Sequence, residues 1–105
     1  AEPEELVHGR LRLDPQQHTA RFGDTQLALT ALEFSIVRTL MTRPAVVFSR
    51  EQIMTAAYQL NIQVSDRTID SHIRNIRAKL AAAHCEDAIE TVHGVGFRLG
   101  RCGTL

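Results

Sequence analysis

Ile69, Ile73, Ile76 and Leu80 recur at steps of four, three and four residues. At about 100° per residue, an α-helix brings such a set into one narrow apolar line. Within Val64 to Leu80 the opposite side carries Arg67, Ser71, Arg74 and Ala78, flanked by Thr68, His72, Asn75 and Lys79. The helix must therefore press its isoleucines on a core and turn a long, basic and hydrogen-bonding face to solvent. A surface of that kind suits phosphates and base edges.

The chain around this helix changes period twice. Leu6 to Leu13 ends in strict alternation, and Thr19 to Phe22 and Gln26 to Leu29 are short strand-like pieces. Asp14-Pro15 separates them, and Gly23-Asp24 reads as a hairpin turn, so the start is a small antiparallel sheet. Thr30-Ala-Leu-Glu33 then has the spacing of a capping box, predicting a helix to about Thr42, before Pro44. Its apolar residues Leu32, Phe34, Ile36, Val37, Leu40 and Met41 cover too wide an arc for a surface helix, which places it centrally. Ser49-Arg-Glu-Gln52 repeats the capping pattern and starts a shorter helix with Ile53, Ala57 and Leu60 on one face. Tyr58 to Val64 is expected as a loop, with Ser65 or Asp66 capping the third helix. Ala81 to His84 extend that helix by a turn. Ile89 to Leu99 closes the chain as a hairpin, because strand formers flank Gly94-Val95-Gly96.

Length and composition narrow the possibilities. A chain of 105 residues with 44% apolar content fits one domain of modest stability. No apolar run approaches the length of a membrane span and no signal-peptide pattern opens the chain, which predicts a soluble, cytoplasmic protein. The acidic, Pro-containing stretch 1–5 reads as a linker lead, 6–100 as the domain and 101–105 as a tail. The chain opens on Ala1 without a Met, as a piece of a longer protein would. Cys85 and Cys102 lack metal-type spacing and read first as two reduced thiols, with a disulfide or redox sensor as the lesser alternative. The formal net charge is zero, yet residues 67–105 carry six Lys/Arg against four Asp/Glu. The basic excess gathers on the third helix.

No catalytic arrangement emerges. Gly94-Val-Gly96 fails as a nucleotide-binding fingerprint, since Leu99 stands where a third glycine belongs and no helix follows. His8, His18, His72, His84 and His93 are scattered without a zinc-type pairing, and no serine sits in a nucleophile elbow. Neither an enzyme nor a cofactor is expected. The order sheet, helix, helix, helix, hairpin is α+β, that of a winged helix-turn-helix with an N-terminal antiparallel sheet and a C-terminal wing.

Asp66-Arg-Thr-Ile-Asp-Ser-His-Ile-Arg74-Asn-Ile-Arg77 followed by Ile89-Glu-Thr-Val-His-Gly-Val-Gly-Phe-Arg98 resembles the effector domain of OmpR/PhoB-type response regulators. Leu29-Thr-Ala-Leu-Glu-Phe34 and Val47-Phe-Ser-Arg-Glu-Gln52 resemble that family's first- and second-helix signatures. The resemblance implies a transcriptional regulator that binds double-stranded DNA, normally fused after a phosphorylatable receiver domain. It implies a third helix in the major groove, a wing at the minor groove, and pairs of domains on repeated half-sites. It also implies an RNA polymerase contact in the loop that contains Gln59, Asn61 and Gln63. Two positions depart from the family pattern: Asn75 stands where Arg or Lys is frequent, and His93 where Arg or Tyr is frequent. An Asn amide can bridge adenine N6 and N7, whereas a neutral His is a weaker partner than Arg for the minor groove.

The expected DNA-binding residues are Arg67, Thr68, Ser71, His72, Arg74, Asn75 and Lys79 on the helix, Thr91, His93 and Arg98 on the wing, and Arg50 beside the second cap. Arg67 and Arg74 lead as phosphate or guanine partners. Three arginines keep two readings each. Arg77 pairs Asp70 or touches phosphate; Arg50 meets a phosphate at the amino end of its helix or balances Glu51; Arg98 contacts the backbone or is plain surface. The competing function is a winged helix that docks a protein instead of DNA, which would favour exposed Leu, Phe, Tyr or Trp on the third helix.

Overall fold

The computed structural model describes residues 5–59, 66–85 and 88–100, with backbone alone at 57–59 and 66–68. Four short strands, β1 (Leu6–His8), β2 (Leu11–Asp14), β3 (Thr19–Phe22) and β4 (Thr25–Leu27), form an antiparallel sheet in chain order. Alternation divides its faces: Leu11, Leu13, Ala20, Phe22 and Leu27 are buried, while the register aligns Val7, Arg12, Arg21 and Gln26 in an exposed row. The sequence from Leu6 to Leu13 is thus two strands, broken by a two-residue loop at Gly9-Arg10. Gly9 has φ 62° and Gly23, which opens the next such loop, has φ 60°. Both glycines occupy the first loop position, where a tight hairpin requires positive φ. The fourth strand ends at Leu27, so Ala28 and Leu29 lead into the helix cap instead of extending it.

Helix α1 (Ala31–Thr42) starts on the expected capping box, with Thr30 Oγ1 accepting from Glu33 N at 3.2 Å and Glu33 Oε1 from Thr30 N at 3.0 Å. It packs against the sheet, both other helices and the wing. That central position explains why Phe34, Ile36, Val37, Leu40 and Met41 are all buried. Helix α2 (Arg50–Gln59) repeats the device: Ser49 N donates to Gln52 Oε1 at 2.8 Å and Gln52 N to Ser49 Oγ at 3.1 Å. It keeps Tyr58 and Gln59 within the helix, so the expected loop from Tyr58 begins too early. Asn61 and Gln63 lie outside the described residues.

Helix α3 (Asp66–Ala82) lays Ile69, Ile73, Ile76 and Leu80 on the core with no more than 1% of their surface exposed. Burial of that kind stabilises by about 1.5–3 kcal/mol per side chain. The wing is β5 (Ile89–Val92) and β6 (Gly96–Leu99), joined by a turn in which Val95 N donates to Val92 O at 3.0 Å and Gly94 has φ 78°. A residue just before α2 also pairs with the wing: Phe48 N donates to Phe97 O at 2.7 Å and Phe97 N to Phe48 O at 2.8 Å. Gly96 makes this approach possible, since a Cβ there would lie 2.0 Å from Phe48 O. A hydrogen bond of 2.8 Å between His8 Nε2 and Gly100 O ties the sheet's edge to the end of β6.

Candidate nucleic-acid interface

Because the isoleucine stripe faces the core, α3 turns Ser71, Arg74, Asn75 and Ala78 outward, all exposed. Arg74 makes no hydrogen bond or ion pair among the described residues, so its charge and its donors are available to a ligand. His72 is half-buried, and its Nδ1 lies inside without a hydrogen-bond partner, which leaves Nε2 as the ring nitrogen able to meet a ligand. Arg67 and Thr68 occupy the first turn of α3, but their side chains lie outside the described residues.

The wing stands beside this face, and Thr91 and His93 are exposed on it, His93 at the turn. Between helix and wing lies an open cleft of about 310 Å³, lined by Arg50, Asp70, Arg74, Arg77, Thr91 and His93 over the Phe97 ring. Three guanidiniums, an imidazole and a hydroxyl against the single carboxylate of Asp70 leave the solvent-open trough net positive, a lining suited to an anionic, hydrogen-bond-accepting polymer.

Several cations expected to meet DNA have partners within the protein. Arg50 grips the Asp70 carboxylate with both arms of its fork, Nε to Oδ1 at 2.9 Å and Nη2 to Oδ2 at 3.2 Å, and its guanidinium carbon sits 5.1 Å from the Phe97 ring centroid. It joins α2, α3 and β6, and Glu51 is not the partner. Arg98 donates from Nε to Glu90 Oε2 at 2.9 Å, directly across the strand pair. Lys79 turns back to the Glu33 carboxylate and donates to Ala28 O at 2.8 Å, so it fastens α3 to the start of α1. Arg77 does not pair Asp70; Nε donates to Ile89 O at 3.0 Å and Nη2 to Thr91 Oγ1 at 2.5 Å. Sequence reasoning missed these four anchors because each partner comes from another element, and helix spacing reports neighbours on the same element only.

Among the described residues no three His, Cys, Asp or Glu side chains converge as a metal site would, and no helix is long and apolar enough to cross a membrane. Three helices on a small sheet, the third open to solvent beside an anchored hairpin, define a winged helix-turn-helix regulator domain. Residues 24–99 match the family model for the transcriptional regulatory protein C terminus, and the chain belongs to that family as an OmpR/PhoB-type effector domain, not an enzyme. It is 39% identical over 88 residues to the phosphate regulon regulator PhoB of Klebsiella pneumoniae, covering 84% of this chain and 38% of that protein. To the regulator BaeR of Escherichia coli O6:H1 it is 43% identical over 89 residues, covering 84% of this chain and 37% of that protein. The chain therefore spans under two fifths of these relatives' length. A solved structure of the DNA-binding domain of response regulator AdeR, in complex with an intercistronic region, aligns with TM-score 0.82 and 27% identity over 91% of this chain and 98% of that one.

Proposed function

We propose that this domain binds double-stranded DNA sequence-specifically as the output domain of a cytoplasmic two-component response regulator. Helix α3 enters the major groove and the wing lies at the adjacent minor groove. The observation that carries this reading is the exposed, unpartnered Arg74 between Ser71 and Asn75, on a helix face that opens onto the wing cleft. Arg74 and the α3 amino-terminal turn with Arg67 and Thr68 hold phosphates or a guanine; Ser71, His72 and Asn75 reach base edges or sugar-phosphate. Thr91 and His93 meet the backbone and the minor groove. The AdeR complex with DNA and the longer PhoB and BaeR relatives support the same role, with a receiver domain ahead of this one in the full-length protein.

A single domain of this size binds weakly alone, so two copies on repeated half-sites supply the affinity through effective concentration. The segment holding Gln59, Asn61 and Gln63 is assigned to RNA polymerase. A protein-docking role for α3 finds no support, since the large exposed apolar side chains among the described residues are Val7, Val46 and Val95, none of them on that helix.

Selection of bound duplexes from a random pool, followed by titration of the selected sequence at several salt concentrations, tests the proposal. Arg74→Ala should cost about 1–3 kcal/mol if the side chain pairs a guanine, or reduce the salt slope by about one unit if it meets phosphate. A pool that yields no enriched sequence, or unchanged binding by the variant at every salt, rejects it.

A further inference from the structure

Arg77 is half-buried on α3, and both of its hydrogen bonds end on one strand of the wing, at Ile89 O (3.0 Å) and Thr91 Oγ1 (2.5 Å). Among the described residues these are the hydrogen bonds that join α3 to β5. A guanidinium holds its five N–H groups in one rigid plane, so two contacts made two residues apart fix the angle as well as the distance between strand and helix. The wing's other backbone attachment runs to the residue before α2 and not to α3: β5 pairs with β6, and β6 is bridged at Phe97 to Phe48, with α3 reached there only through Arg50, which lies over the Phe97 ring and grips Asp70. Arg77 also decides what Thr91 can offer. Its hydroxyl oxygen accepts from the guanidinium, which leaves the hydroxyl proton to be donated outward, the polarity a phosphate oxygen needs.

We propose that Arg77 is a positioning residue that sets the wing on α3 and presents the Thr91 hydroxyl as a donor, so that helix and wing engage DNA as one unit. The proposal rests on the DNA-binding reading above and differs from a direct phosphate contact in what it predicts. Lysine keeps the charge but loses the fork. Arg77→Lys and Arg77→Ala should therefore both weaken binding of the selected duplex on the order of tenfold, with no change in salt slope. Thr91→Val should weaken it to a similar degree. The double variant Arg77→Lys/Thr91→Val should be little worse than either single one, because the two side chains act as a unit. A phosphate contact gives the opposite pattern: near wild-type binding by Arg77→Lys, a slope lower by about one unit in Arg77→Ala, and additive losses in the double variant. That pattern overturns the proposal.

Hydrogen exchange on the free chain keeps this test separate from the reading on which it rests. Amides of Ile89 to Leu99 should exchange faster in Arg77→Lys than in wild type while those of Ile69 to Leu80 are unchanged. Equal exchange in the wing overturns the positioning role even if the wild type binds no duplex, and that failure to bind would by itself remove only the DNA reading.

Discussion

The Lys79 ammonium reaches from the third helix to the carboxylate of Glu33, a capping residue of the first helix that is only 2% exposed. Glu33 already accepts from Thr30 N, and Lys79 also donates to Ala28 O at 2.8 Å, so one cluster closes the sheet-to-helix junction and anchors α3. Truncating the lysine leaves a buried carboxylate without its counter-charge. Lys79→Ala should lower stability by about 2–3 kcal/mol while leaving the salt slope of DNA binding unchanged. Urea melts and salt titrations of the same variant check both halves; a slope lower by one unit would mean that Lys79 meets a phosphate.

Gly96 and Gly94 are two residues apart and should respond differently to alanine. A Cβ on Gly96 meets Phe48 O at 2.0 Å and Ser49 Cα at 2.8 Å, both of them backbone, whereas at Gly94 nothing lies within 4 Å and only the φ of 78° resists a side chain. Gly94→Ala should cost about 1–2 kcal/mol, the penalty for an L-residue in the left-handed region. Gly96→Ala should cost about 3 kcal/mol or more, because the wing must separate from the Phe48 bridge. Thermal melts of the two variants make the comparison, and equal losses would mean that the bridge gives way without resistance.

The core stripe of α3 gives a sharper stability test. Ile73 is 1% exposed, and its helix neighbours Arg74 and Asn75 are open to solvent. Ile73→Asp trades the packing of a fully buried isoleucine for a carboxyl group on the core stripe and should abolish cooperative folding, since the lost burial and the desolvation of the acid together take up much of the roughly 5–15 kcal/mol that holds a small domain together. A melt at the wild-type temperature, followed by circular dichroism, would remove the stripe from the core.

The difference between the two halves of the α3 surface explains what could be read from the chain. Periodicity and caps are local, so Thr30 with Glu33, Ser49 with Gln52 and the isoleucine stripe were visible within a few residues of each other, and the elements they start follow the expected order. Charge partners are set by tertiary approach. Arg50 and Asp70 are separated by 20 positions and Lys79 and Glu33 by 46, and no spacing rule links them. A list of basic residues on a helix face therefore overstated the free cations. The Gly9-Arg10 turn is a different case: a glycine opening a two-residue loop was a legible signal, masked by the strand-like residues around it.

The Arg50–Asp70 pair offers a prediction with a definite sign. Its side chains are 44% and 55% exposed, so the pair contributes no more than about 1 kcal/mol to stability, yet it places a carboxylate in the cleft where DNA phosphates are proposed to lie. Asp70→Asn removes that negative charge and frees the Arg50 guanidinium, which remains near the amino end of α2. Stability should change by less than about 1 kcal/mol, while affinity for the selected duplex rises at low salt and the salt slope steepens by about one unit as Arg50 takes up a phosphate. Sequence discrimination should narrow, because the added contact is blind to base identity. Titrations of Asp70→Asn against the selected and a scrambled duplex read all of this; weaker binding to both would mean instead that the ion pair is needed to hold α2 against the recognition helix.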